Sequence, residues 1–261
     1  PIRTSLLVAW LCAVLALAAV VVLVLGMNAL SERRAAFVSA VTHELRTPLT
    51  TFRMYTEMLA GDMVPDEARR REYLLTLRSE SDRLAQLIEN VLSYARLERG
   101  RAATHTEAVT VGQLLDRLAG RLRPRAQQAE MQLDLVMDES QCDATVRTDV
   151  AAVEQIVANL VDNACKYAAG AEDRRIHVRA QSDARWLRLR VTDHGPGVAA
   201  DAARRLFRPF HRSAQDAANS APGVGLGLAL SRRLARRLRG DVTLVSSDTA
   251  GACFELKLPV R

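Results

Sequence analysis

Asn159-Leu160-Val161-Asp162-Asn163-Ala164-Cys165-Lys166-Tyr167 is the stretch whose reading decides the fold. It sits in a run from Val150 to Ala169 that reads as a strong helix. Asn159 and Asn163 are four residues apart and Lys166 is three further on, so the three share one helix face. Outward from this helix the pattern changes to strands. Ile176, Val178 and Ala180 alternate with His177 and Arg179; Leu187, Leu189 and Val191 alternate with Arg188 and Arg190. Leu133, Leu135 and Met137 alternate upstream, and Val242/Leu244 and Phe254/Leu256/Leu258 close the chain. Alternation buries one face of each strand. With helical patterns at Val111–Gln128 and about Leu226–Leu238, a one-sided sheet covered by three helices is expected: a two-layer α/β sandwich.

Toward the N-terminus the pattern is wholly helical. One run, from about Ser31 to Leu59, places Leu30, Phe37, Val41, Leu45, Phe52 and Leu59 near one face. Gly61 to Pro65 breaks it. A second run, from about Asp66 to Leu97, has a stripe of Tyr73, Leu74, Leu77, Leu84, Leu87, Ile88, Val91 and Leu92. The two make a helical hairpin that buries a single seam, so pairing of two copies into a dimeric four-helix bundle is expected. Gly100 to Glu107 reads as a linker.

The composition, 49% hydrophobic and 25% charged over 261 residues, is globular. The net charge of +6 does not choose between nucleic acid, a membrane surface and no partner. The apolar residues are unevenly spread. Leu6 to Met27 holds no charged residue; its 22 positions span about 33 Å as a helix, enough for a bilayer core of about 30 Å. A transmembrane helix is expected, with a buried core helix and a cleaved signal peptide as alternatives. Arg33 and Arg34 after the run, against Arg3 before it, favour a cytoplasmic C-terminal flank. Asn28 to Arg34 reads as a short connector. Cys12, Cys142, Cys165 and Cys253 have no paired spacing, which suggests buried free thiols and neither disulfides nor a zinc site.

Three constellations carry chemistry. In Thr42-His43-Glu44-Leu45-Arg46-Thr47-Pro48-Leu49-Thr50, His43 points away from the apolar seam; neutral imidazole is a competent nitrogen nucleophile. Glu44 is placed to hold Nδ1–H or accept its proton, leaving Nε2 free. Thr47 lies one turn on, within reach to orient a water, and Pro48 is expected to kink the helix. The second constellation is the Asn159/Asn163/Lys166 face, where two amide oxygens and a cation suit Mg²⁺ and phosphate together, and Tyr167 would stack on a planar base. The third is glycine: Asp193-His194-Gly195-Pro196-Gly197 after a strand and Gly223-Val224-Gly225-Leu226-Gly227 opening a helix, where backbone approaches a ligand closely. The spacing fits neither a Walker loop nor a Rossmann fingerprint. Between them, Phe207 to Arg212 and the small, polar run Ser213 to Pro222 read as a lid.

In this order, the motifs resemble the transmitter region of bacterial two-component sensor histidine kinases. Thr42–Thr50 looks like the H box, Asn159–Tyr167 the N box, Asp193–Gly197 the first glycine box, Leu206–Arg212 the F box, and Gly223–Ser231 the second glycine box. Gly251–Pro259 is similar to the closing strand, and the resemblance covers about Ser31 to Val260. It implies an ATP-dependent protein-histidine kinase with a sandwich of the gyrase-like ATPase type. His43 would accept the γ-phosphoryl group with Glu44 as its base, and Thr47 would position water for dephosphorylating a partner. Asn159 and Asn163 would hold Mg²⁺, Lys166 would contact phosphate and Tyr167 would pack on adenine. Asp193 would accept the adenine amino group, with Gly195, Gly197, Gly223, Gly225, Leu226 and Gly227 shaping the pocket and Arg212 reaching phosphate from the lid. His105, His177, His194 and His211 are read as incidental. Expected partners are ATP, Mg²⁺, a response-regulator receiver domain and a second copy of the chain, at the cytoplasmic membrane, with no nucleic acid.

The expected domains are 1–30 (transmembrane helix and connector), 31–100 (dimerisation and phosphoacceptor hairpin), 101–107 (linker) and 108–261 (catalytic ATP-binding domain). Only 16 residues separate Met27 from His43, about 24 Å of helix, which leaves no room for a separate relay module. The membrane helix is therefore expected to run almost continuously into the dimerisation helix. The sensor and a first membrane helix are expected upstream. The competing readings are an ATP-binding pseudokinase that signals by shape and another ATPase of the gyrase-like superfamily, which would lack the H-box hairpin.

Overall fold

The computed structural model describes residues 2–98, 105–137, 142–210, 225–248 and 251–260; the side chains of 2–3, 5–9, 12, 29–30, 33–34, 36–37, 98 and 201 fall outside that description. The chain forms two compact units, Pro1–Leu77 and Arg78–Arg261.

In the first unit, α1 (Ile2–Ala60) is one helix of 59 residues. The connector expected at Asn28–Arg34 is helical instead. The segment 27–47 holds neither proline nor glycine, and Ala, Leu, Glu and Arg are good helix formers, so nothing local stops the helix. Pro48 lies inside α1, where its missing N–H leaves the Glu44 carbonyl without the usual helical donor. The helix ends at Gly61-Asp62, with Asp62 in the left-handed region at φ 50°. α2 (Glu67–Glu98) then starts, and the Tyr55 and Tyr73 rings meet at 4.5 Å across the hairpin. Val64 and Leu77 are buried there, while Val38, Leu49, Met54, Leu74 and Leu75 are exposed. Among the described residues no helix is long and apolar enough to cross a membrane.

The second unit contains the remainder of α2 and the α/β sandwich. β1 (Glu107–Thr110) pairs antiparallel with β3 (Thr145–Thr148), and α3 (Val111–Gln128) begins between them on a capping box made by Thr110 and Gln113. This small sheet was not expected; four-residue strands are too short for alternation to separate them from loop. The main sheet has the order β2-β4-β5-β7-β6, formed by Gln132–Met137, Arg175–Ser182, Trp186–Thr192, Gly251–Pro259 and Asp241–Asp248 respectively. Only β2–β4 is parallel; the other pairs are antiparallel.

α3, α4 (Val150–Tyr167) and α6 (Gly227–Arg237) cover one face of this sheet; a short α5 (Ala200–Ala203) precedes α6. Asp149 caps α4, its carboxylate accepting from the Ala152 N–H at 3.1 Å. Leu114, Leu118 and Leu122 of α3, Ile156 and Leu160 of α4 and Leu230 of α6 are fully buried. Ile176, Leu187, Leu189, Leu256 and Leu258 of the sheet are buried with them, the alternate positions anticipated from the pattern. This layer fixes where α4 and the turn after β5 sit.

One backbone contact is as tight as the core. Gly251, at φ +137°, begins β7 against the Asp193 carbonyl, and a Cβ there would lie 1.9 Å from that oxygen. Gly251→Ala is expected to destabilise the chain by more than about 3 kcal/mol. Gly120→Ala, inside α3 with nothing within 4 Å of the added carbon, should stabilise it by up to about 1 kcal/mol. Urea unfolding of both variants measures the contrast; a Gly251→Ala chain of wild-type stability would contradict the contact.

Candidate functional site

On α1 of the first unit, the His43 imidazole is 75% exposed, as its position off the apolar seam requires. The adjoining Glu44 carboxylate is buried and places Oε1 3.9 Å from His43 Nδ1. The carboxylate is thus held against the protein while the imidazole projects into solvent. Thr47 is exposed one turn on, and its carbonyl accepts the Thr51 hydroxyl at 3.2 Å.

In the second unit the residues of α4 divide between two environments. Asn159 is buried and donates from Nδ2 to the Ser231 hydroxyl of α6 at 3.3 Å. That bond orients the amide and leaves its Oδ1 as the acceptor. Gly227, the first residue of α6, would bring a Cβ to 4.0 Å from the Asn159 side chain. Asn163 and Lys166 are half-buried further along the helix, and Lys166 Nζ lies 3.2 Å from the Tyr167 hydroxyl and 4.7 Å from the centre of its ring. Asp162 faces elsewhere: its carboxylate accepts from Arg125 at 2.7 Å and from Gln86 of α2 at 2.9 Å, and Arg125 also donates to Gln86 Oε1 at 3.1 Å. Burial pushes the Asp162 carboxyl above its ordinary range, and the Arg125 guanidinium works against that rise.

The turn after β5 closes on itself. Asp193 is buried, and its Oδ1 accepts the Gly195 N–H at 2.9 Å and the Ala252 N–H of β7 at 3.3 Å. Among the described residues no hydrogen bond ends on its Oδ2. Burial raises the Asp193 carboxyl above the ordinary value, opposed by those two N–H donors. Gly195 is pressed against the C-terminal end of α4: a Cβ there would lie 3.0 Å from the Tyr167 carbonyl and 3.1 Å from Asp193 Oδ1. Gly197 and Gly225 take positive φ of 72° and 70°, conformations that side chains resist. The Phe210 N–H donates to the Gly225 carbonyl at 3.0 Å, and Leu226 is buried at the start of α6. Arg212, Gly223 and the lid expected at Ser213–Pro222 lie outside the described residues.

The fold therefore gathers Asn159, Tyr167, Asp193, Gly195 and Gly227 through direct approaches, while His43, Glu44 and Thr47 lie in the first unit. The second oxygen of a buried carboxylate, beside a glycine with no room for a side chain, fits a flat donor such as a purine amino edge. Amide oxygens on the helix beside it fit a cation shared with phosphate, since Mg²⁺ needs few protein ligands when phosphates supply the rest. Two parts went unassigned at the sequence level. Gly251 and Ala252, which hold Asp193, announce themselves only by a glycine before a strand. Ser231 and the Arg125–Gln86 partnership of Asp162 carry no spacing signal.

Comparison with known proteins agrees with this layout. The His Kinase A (phospho-acceptor) domain family matches residues 33–100, and the histidine kinase-, DNA gyrase B- and HSP90-like ATPase family matches residues 148–261. The sensor histidine kinase MtrB of Mycobacterium leprae is 32% identical over 229 residues, 86% of this chain and 39% of MtrB. The chain thus spans well under half of the curated relatives it matches. Full-length ShkA, solved in complex with AMPPNP, superposes with a TM-score of 0.59 at 29% identity, covering 85% of this chain and 45% of ShkA. Histidine kinase ThkA, solved in complex with the response regulator TrrA, gives a TM-score of 0.63 at 18% identity, over 86% of this chain and 61% of ThkA; at that identity it shows the fold alone.

The Asp162 environment has a consequence for stability. A carboxyl whose folded pKa is raised binds protons more readily folded than unfolded, so ionising it costs stability as pH climbs through that window. Asp162→Asn should accordingly gain stability relative to wild type as pH rises from the ordinary aspartate range toward neutrality, as read by urea unfolding at each pH. A difference that is flat across the window, or that narrows, would contradict the burial argument.

Proposed function

Because this chain is a transmitter region of the sensor histidine kinase family, we propose that it autophosphorylates His43 from Mg-ATP and passes the phosphoryl group to an aspartate of a response-regulator receiver domain. The observation that carries the proposal is the solvent-projecting His43 imidazole with a buried Glu44 carboxylate beside its Nδ1. Neutral His43 attacks the γ-phosphorus through Nε2. The new P–N bond forms as the bond from γ-phosphorus to the β,γ-bridging oxygen breaks, and ADP departs with that oxygen. The positive charge gained by the ring is balanced at Nδ1, where Glu44 holds or takes the proton.

The nucleotide belongs to the second unit. Asp193 Oδ2 accepts the adenine amino group while Oδ1 remains tied to Gly195 and Ala252. Tyr167 packs on the base, and Lys166 supplies a point charge to phosphate. Asn159 and Asn163 would hold Mg²⁺, whose chemistry is neutralisation of charge on the phosphates. Gly195, Gly197, Gly223, Gly225, Leu226 and Gly227 shape the pocket, and Arg212 is assigned to the phosphate end. Thr47 orients a water for removing the phosphoryl group from the regulator, which gives the chain a phosphatase activity alongside its kinase activity.

We further propose a homodimer built on α1 and α2, where Val38, Leu74, Ile88 and Leu92 leave apolar surface exposed. The domain limits 31–100 and 108–261, with a linker between, follow from the same reading. The N-terminal part of α1 is assigned to the cytoplasmic membrane, with the kinase region on the cytoplasmic side. Trp10, Leu11, Val14, Leu15, Leu17, Val20 to Leu25 and Met27 are 46–70% exposed around the helix, a surface suited to lipid. The unbroken α1 then offers a direct mechanical route from the membrane to His43.

With radiolabelled ATP, wild type should acquire an acid-labile label that His43→Ala lacks entirely, while Lys166→Ala keeps His43 but labels at least about tenfold more slowly. Undiminished labelling of His43→Ala would overturn the proposal.

A further inference from the structure

His194 has no role in the site described so far, yet its surroundings are unusual. Its Nε2 is buried and has no hydrogen-bond partner among the described residues. The Oδ2 of Asp173 lies 3.7 Å away. The imidazole meets the ring of His177 edge to face, with centroids 5.4 Å apart and planes at 85°. His177 in turn has its Nδ1 3.5 Å from Asp134 Oδ2. A neutral ring with an orphaned, buried nitrogen beside a carboxylate is costly as it stands. Adding a proton to that nitrogen makes the pair an ion pair at 3.7 Å, which a shift of a few tenths of an ångström closes to a charged hydrogen bond.

We propose that His194 is a positioning residue that makes adenine-nucleotide affinity proton-dependent, by tying the Asp193-His194-Gly195 turn to Asp173 when its imidazole is protonated. The inference rests on the reading of Asp193 as the adenine acceptor.

The groups around the ring are these. β2 contributes Asp134, the segment entering β4 contributes Asp173, and β4 begins at Arg175. β4 contributes His177 and the turn itself Asp193. The end of α4 brings the Tyr167 carbonyl against Gly195, with Lys166 on the Tyr167 hydroxyl. β7 brings the backbone of Gly251 and Ala252, a Cβ on Gly251 reaching 3.1 Å from the His194 Cα. Three carboxylates stand against two fixed cations, Arg175 and Lys166, and Arg175 is already committed to Asp173 through its Nε and Nη2, at 2.9 and 2.7 Å. The local field therefore has room for added positive charge. Arg175 holds the Asp173 carboxyl well below the usual range, so Asp173 stays ionised as an acceptor.

Protonation acts on Asp193 in two ways. The turn gains an anchor at Asp173, which reduces the freedom lost when nucleotide binds. The imidazolium also lies beside a carboxyl that burial pushes upward, and its charge opposes that push, which keeps the acceptor ionised. Both effects favour nucleotide when His194 is charged. By linkage, binding takes up a proton and affinity falls as pH rises through the imidazole range.

The test measures Mg-ADP dissociation constants for the full chain between about pH 6 and pH 8, where imidazole changes charge, for wild type, His194→Gln and Asp173→Asn. Dividing each variant's constant by the wild-type constant at the same pH cancels titration of the nucleotide's own phosphates. The ratio should be largest at the acidic end and fall toward a plateau at the alkaline end. The expected fall is about tenfold across that range. Asp173→Asn should show the same trend with the imidazole intact, which separates the ion pair from any general effect of replacing His194. Ratios that are constant across pH for both variants would overturn the proposal. Failure of all three proteins to bind Mg-ADP at any pH would instead overturn the underlying assignment of the nucleotide site.

Discussion

The buried carboxylate of Asp193 is the constraint on which the second unit's chemistry depends. Its Oδ1 is shared by the Gly195 N–H of its own turn and the Ala252 N–H of β7. That arrangement requires Gly251 to lie directly on the Asp193 backbone, and it requires Gly195 to lie directly on the end of α4. Three elements distant in sequence therefore converge on one side chain. Burial by itself would favour the neutral acid; two backbone donors offset it and occupy Oδ1, leaving Oδ2 as the remaining acceptor. The layer of leucine, isoleucine and valine beneath, from Leu160 to Leu189 and Leu256, keeps the three elements in register.

How much of this was legible in the sequence varied with the kind of interaction. α3 and α4 were readable because their apolar residues recur over 18 positions, and the long strands because they alternate over seven to nine. β1 and β3 were not, since four residues carry too little pattern. The segment 28–34 reads as a connector because its polar residues interrupt the apolar run; polarity is no barrier to a helix where Ala29, Leu30, Glu32, Arg33 and Arg34 outweigh Asn28 and Ser31 and no proline or glycine intervenes. In the site, Asn159, Asn163 and Lys166 were visible as a helix face and Asp193 as the head of a glycine turn. What holds them was not visible. Ser231, Ala252 and Gly251 act through backbone atoms or a single small hydroxyl, and Arg125 and Gln86 reach Asp162 from 37 and 76 residues away.

The charge balance also reads differently once residues have places. The net +6 raised the prospect of a polyanionic partner, but many arginines are matched within the second unit: Arg121 to Glu154, Arg125 to Asp162, Arg190 to Glu255, Arg232 to Asp241. Only two of the 36 cationic residues are lysines. One, Lys257, lies over the Trp186 ring at 4.2 Å. The other, Lys166, stands on the helix face that carries Asn159 and Asn163, where a compact, mobile charge suits a phosphate better than a rigid fork does.

The central claim is that the open oxygen of Asp193 reads the amino edge of adenine. Adenine presents a donor there, whereas guanine presents a carbonyl oxygen, which would face the carboxylate as one acceptor against another. Calorimetric titration of the chain with ATP and with GTP at neutral pH, in the presence of Mg²⁺, tests this most directly. ATP should bind at least about a hundredfold more tightly than GTP; equal affinities for the two nucleotides would contradict the account.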